Sequence, residues 1–162
     1  FKVLPIIRAW SKVYDDIYIS NILGLGKLGH EQYKKKILDL PNQYLKPKLL
    51  SKDSIEALNP LMSSAIDISD GLLLDLSRIC KQSKKGAMLN IHDKVYSNAI
   101  DDLVAGDDYV LLFTCNAEHS ETVRKILPNC YLLGRVTEEE KILVVDEKGK
   151  SINFEKLGWD SF

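Results

Sequence analysis

The sequence predicts a fold that mixes strands and helices, and three stretches of the chain predict it. The first is Ser64-Ala65-Ile66-Asp67-Ile68-Ser69-Asp70-Gly71-Leu72-Leu73-Leu74-Asp75-Leu76. Its first half alternates, with Ala65, Asp67 and Ser69 on one side of an extended strand and Ile66 and Ile68 on the other. Its second half changes period: Leu72, Leu73, Leu76, Ile79 and Cys80 share one face of a helix predicted over 70–81. The second stretch is the apolar run Val110-Leu111-Leu112-Phe113, which suits a strand buried on both faces. The third is the alternation of helix and strand patterns from Asn116 to the hairpin signal Glu147-Lys148-Gly149.

In chain order, Lys2–Ile7 and Asp16–Ser20 read as extended segments, an incomplete hairpin or the edge of a larger sheet. His30–Leu40 is a short basic helix stopped by Pro41. Asp53 caps a helix over Ser54–Leu58, and Asn59-Pro60 introduces the strand of the first stretch, read as an inner one. Ser83–Gly86 is a turn, Ala87–Ile91 a strand, Asp93–Ser97 a loop and Asn98–Val104 a short helix. Asn116 caps a helix over 117–127, followed by a strand at Cys130–Leu133, a turn at Gly134-Arg135-Val136, and strands at Lys141–Val145 and Ser151–Phe154.

Ser69-Asp70-Gly71 marks the point where strand gives way to helix. Unpaired N–H groups and the positive end of the helix dipole meet there. Such a place holds a phosphate directly, or through a cation carried by carboxylates. The plainer reading makes Ser69 or Asp70 only a helix cap. Asp67, between two isoleucines, needs a partner if buried. Gly106-Asp107-Asp108 forms a second acidic cluster, by itself an ordinary turn.

The chain has 162 residues, 45% of them hydrophobic, a net charge of -1 and 28% charged residues. That suits one core, or one domain plus a piece of another. It excludes the basic footprint of a nucleic-acid binder, and no apolar run reaches membrane-spanning length. Cys80, Cys115 and Cys130 lack metal spacing and read as buried thiols in a reducing cytosol. The chain starts at Phe1 without an initiator Met, which suggests a missing upstream part.

The run Ala65–Leu72 followed by Asp75-Leu76 resembles the signature of the thiamine-monophosphate kinases, ATP- and magnesium-dependent members of the superfamily named for aminoimidazole ribonucleotide synthetase. Three further motifs follow in the family's order. Arg8 precedes Asp16-Ile17-Tyr18-Ile19; Ala105-Gly106-Asp107-Asp108-Tyr109-Val110-Leu111-Leu112-Phe113-Thr114 resembles "G-G-E-D-Y-E-L-x-F-T"; Gly158-Trp159-Asp160-Ser161-Phe162 resembles "G-W/Y-x-H-F". Val110 and Ser161 depart from the family's glutamate and histidine, and Asp107 is one methylene shorter than its glutamate.

The resemblance implies an α+β fold, a mixed β-sheet flanked by helices: the superfamily's C-terminal domain at residues 21–162, with the tail of a preceding N-terminal domain at 1–20. It implies transfer of the γ-phosphoryl of ATP to thiamine monophosphate, giving thiamine diphosphate, in the cytoplasm. By carry-over Asp67 and Asp70 would ligate Mg2+, Arg8 and Ser69 would contact ATP, and Asp107 and Trp159 would shape the thiamine site. The missing N-terminal domain would supply further metal-binding aspartates and a homodimer interface, so this chain alone is expected to be inactive. Two other readings are a sister ATP-dependent enzyme of the superfamily and a degenerate nucleotide-binding or assembly module.

Overall fold

The computed structural model describes residues 9–37 and 42–158. Arg8, Trp159 and Ser161, the segment Lys2–Ile7 and Pro41 lie outside the described residues. Among the described residues, six strands form one mixed sheet: β1 (Asp16–Ile19), β2 (Met62–Ile68), β3 (Gly86–Ile91), β4 (Val110–Cys115), β5 (Tyr131–Thr137) and β6 (Ile142–Asp146), in the order β2-β4-β1-β5-β3-β6. All neighbours are antiparallel except β3 and β6. Four helices among the described residues flank it: α1 (Leu25–Lys34), α2 (Lys52–Leu58), α3 (Leu72–Ser83) and α4 (Ser120–Ile126). None of these helices is long and apolar enough to cross a membrane.

Strand periodicity divides the core in two. Ile17, Ile19, Ile66, Ile68 and Leu112 turn to the face covered by α3, where Leu72, Leu73, Leu76, Ile79 and Cys80 form the predicted apolar stripe. Tyr18 and Phe113 turn the other way, their rings stacked with centroids 5.5 Å apart. There they meet Leu58 of α2 and Val123 of α4. Each fully buried side chain of this size contributes roughly 1.5–3 kcal/mol of transfer free energy.

Several boundaries differ from the pattern reading. Asp16–Ile19 lies inside the sheet between β4 and β5, not at its edge; β2, read as an inner strand, is one of the two edge strands of the described sheet, with β6 the other. The first helix starts at Leu25 rather than His30, from a left-handed Gly24, and ends at Lys34; residues 38–40 of the expected helix lie outside the described residues. Ser51, not Asp53, caps α2, its hydroxyl accepting the Ser54 N–H. Asn98–Val104 tightens into a 3-10 turn at Ile100–Val104. Gly134-Arg135-Val136 runs within β5 instead of turning, where Gly134 lets the β3 backbone at Met88 approach. Among the described residues beyond β6, Ser151 bridges to Val145 and no further paired strand forms. Cys80 and Cys115 are buried and Cys130 half-buried; burial raises the first two to about 11 and about 12, so both remain thiols.

Candidate functional site

At one end of the sheet β2 runs out at Ile68 and β4 begins at Val110. Antiparallel pairing therefore brings the segments Ile68–Gly71 and Gly106–Tyr109 together. The Asp107 N–H donates to the Ser69 carbonyl at 2.9 Å and the Tyr109 N–H to the Ile68 carbonyl at 2.8 Å. The two acidic clusters singled out in the sequence thus form one surface. Asp67 and Asp107 are exposed and Asp70 is partly exposed. Asp67 sits on the solvent-facing side of the edge strand, opposite Leu111, so its carboxylate needs no buried partner. Gly158 packs against the Asp70 carbonyl, which brings the end of the described tail to the same place.

The strand-to-helix turn is built differently from a simple cap. Gly71 precedes α3 with φ 122°, a conformation open to glycine, and neither Ser69 nor Asp70 caps the helix. Asp75 does the work from the first turn of α3. Fully buried, its Oδ2 accepts the N–H groups of Ser69 and Asp70, each at 3.1 Å. Its Oδ1 pairs with Arg78 Nη1, and the same nitrogen lies 2.6 Å from Asp70 Oδ2. The hydrogen bond to Asp70, ahead of that to Asp75, raises the Arg78 pKa and keeps the guanidinium charged. One buried carboxylate therefore positions the turn and holds the arginine that pairs with Asp70.

The second segment follows the same plan. Asp107 and Tyr109 both have positive φ, 66° and 52°, uncommon for side-chain-bearing residues. Asp108 between them points inward, its Oδ2 accepting from Gly24 N and its Oδ1 from Gly26 N, both at 2.9 Å. Burial pushes the Asp108 pKa up, while these two N–H bonds pull against the shift. Nearby Asp102 is also buried; its Oδ2 accepts from Asn98 N at 3.0 Å and its Oδ1 meets Lys27 Nζ at 3.2 Å. Burial works upward on Asp102, but the Ala99 and Asn98 N–H groups and Lys27 outweigh it and lower the pKa.

Pattern reading singled out Asp67, Ser69, Asp70 and Asp107, which lie on the two segments that the fold brings together, and did not single out Arg78, Asp102 or the buried positions of Asp75 and Asp108. The i, i+3 spacing of Asp75 and Arg78 was an available signal. Nothing local marks Asp108 as buried and Asp107 as open.

Among the described residues, no three His, Cys, Asp or Glu side chains gather closely enough to hold a metal by themselves. The donor set nevertheless fits magnesium as it is usually bound with nucleotides, through one or two carboxylates with phosphate and water completing the shell. Asp67 and Asp70 offer that number of carboxylates.

The family described as AIR synthase related protein, C-terminal domain, matches residues 17–147. The chain belongs to this family. It is 32% identical over 180 residues to a thiamine-monophosphate kinase of Buchnera aphidicola subsp. Schizaphis graminum, covering 97% of this chain and 55% of the relative. A solved structure described as AaThiL complexed with AMPPCP and TMP superposes with a TM-score of 0.77 at 22% identity, over 97% of this chain and 54% of that one. The hydrogenase maturation protein HypE of E. coli superposes with a TM-score of 0.74 at 13% identity, over 94% of this chain and 52% of that one. At such identities the structures establish the fold alone. The chain spans about half the length of the curated relatives it matches.

Proposed function

We propose that this chain supplies the C-terminal domain of a cytoplasmic thiamine-monophosphate kinase, which transfers the γ-phosphoryl of ATP to thiamine monophosphate. The reading is carried by the docking of Ser69 onto Asp107, which sets the two acidic segments side by side at one sheet end. The relatives that bear the kinase name support the choice of reaction. Buried Cys80 and Cys115 suit a reducing compartment.

Phosphoryl transfer asks for positioning and charge neutralisation more than covalent chemistry. Asp67 and Asp70 would hold Mg2+, which supplies neutralisation of phosphate charge. The Ser69 hydroxyl and Arg8 would contact ATP, a guanidinium matching two phosphate oxygens at once. Asp107 would face the thiamine side, and the Trp159 indole would stack on the flat cationic ring. The preceding domain would complete the metal shell and the homodimer.

The test is thiamine diphosphate formation by the full-length protein with ATP, Mg2+ and thiamine monophosphate. Activity is expected, and Trp159→Ala should raise KM for thiamine monophosphate more than KM for ATP. A full-length protein that binds ATP yet phosphorylates only some other acceptor overturns the reading.

A further inference from the structure

We propose that Arg78 is the resting counter-ion of Asp70, and that a magnesium–phosphate group must take the Asp70 carboxylate from it. The inference rests on the reading of Asp70 as a magnesium ligand. Arg78 Nη1 lies 2.6 Å from Asp70 Oδ2 and also pairs with Asp75, whose carboxylate is wholly buried. The Arg78 side chain keeps 34% of its surface exposed, and that of Asp70 keeps 30%, so both reach solvent at the strand end.

Asp75 anchors the arginine from below and, through the Ser69 and Asp70 N–H groups, anchors the turn that carries Asp70. The guanidinium is thus fixed, while Asp70 sits at the open end of the pair. A lone magnesium ion entering here must break a charge-assisted hydrogen bond and leaves Arg78 short of one anion. A phosphate arriving with the metal restores that anion, because its oxygens replace the carboxylate at the guanidinium fork. Arg78 therefore couples metal binding to phosphate binding and acts as a positioning residue for the proposed reaction.

Calorimetric titration of the full-length protein with Mg2+ alone, and with AMPPCP at zero and saturating Mg2+, tests this. Arg78→Gln should tighten binding of Mg2+ alone by about three- to tenfold. The same variant should shrink the gain in AMPPCP affinity that magnesium brings. Arg78→Lys, which keeps a cation there, should stay within about twofold of the parent for Mg2+ alone. Unchanged or weaker Mg2+ binding in Arg78→Gln, with weaker binding in Asp70→Asn, overturns the counter-ion role and leaves Asp70 a ligand. Unchanged Mg2+ binding in Asp70→Asn overturns both.

Discussion

Two sets of aspartates line the same end of the sheet, and they differ in what surrounds them. Asp75, Asp102 and Asp108 are buried and accept backbone N–H groups from the loops they organise. Asp67, Asp70 and Asp107 lie open or half-open a few residues away. Asp107 and Asp108 are adjacent in sequence, yet one faces solvent and the other closes the start of α1. A carboxylate whose oxygens already serve backbone donors has little left for a ligand. Asp67 and Asp107 instead face solvent, and Asp70 gives one oxygen, Oδ2, to the half-exposed Arg78. Each acidic cluster therefore sets a buried, scaffold-forming carboxylate beside open ones.

The contrast breaks most visibly at Asp108. Asp108→Ala leaves the Gly24 and Gly26 N–H groups buried without an acceptor and should cost about 3 kcal/mol in denaturant unfolding. Asp107→Ala should stay within about 0.5 kcal/mol. A comparable loss at both positions would dissolve the distinction.

Asp67→Asn makes the converse test in the full-length protein. Its unfolding free energy should move by less than about 0.5 kcal/mol. The proposed kinase kcat should fall by at least about tenfold, a barrier change near 1.4 kcal/mol. An Asp67→Asn variant with unchanged kinetics removes Asp67 from the open set.

Backbone strain sharpens the comparison further. Tyr14, with φ 73° and 75% exposed, is strained away from the acidic surface. Tyr14→Gly relieves that strain at little packing loss, a net gain of about 0.5–1 kcal/mol readable as a raised Tm. Asp107→Gly should show a similar stability gain but lose the proposed substrate contact.

The smallest effect separates the buried carboxylates from each other. Asp102 has a lowered folded pKa, so its stabilisation is present above the unfolded value and is lost as pH falls through the folded one. Asp108 has a raised folded pKa, so its contribution is greatest below the unfolded value and declines as pH rises through the folded one. Unfolding measured from about pH 6 down to about pH 3 should therefore fall less steeply in Asp102→Asn and more steeply in Asp108→Asn. Parallel curves for the two variants would contradict the opposite signs.

Much of this arrangement is legible without coordinates. The period switch at Ser69–Gly71 located the strand end, and the isoleucines of β2 assigned its buried face correctly. The stripe on α3 follows from 3.6-residue periodicity alone, because one face of a helix meets one sheet. Asp16–Ile19 misled because a short strand carries no signal for its neighbours: the same four side chains suit an edge or a centre. Gly134 misled because a glycine admitted by close strand approach looks like one that turns the chain.

What the sequence determined by itself is local: the strand and helix periods, the buried stripes, the cluster of acids beside a helix start, and the family signature. Only the tertiary structure decided which acids are used up inside. That choice depends on Gly24 and Gly26 meeting Asp108 across more than eighty residues, and on Asp75 turning back onto Ser69 while gripping Arg78. Hydrogen-bond satisfaction in a low-dielectric interior is a property of three-dimensional neighbours, and sequence spacing does not encode it.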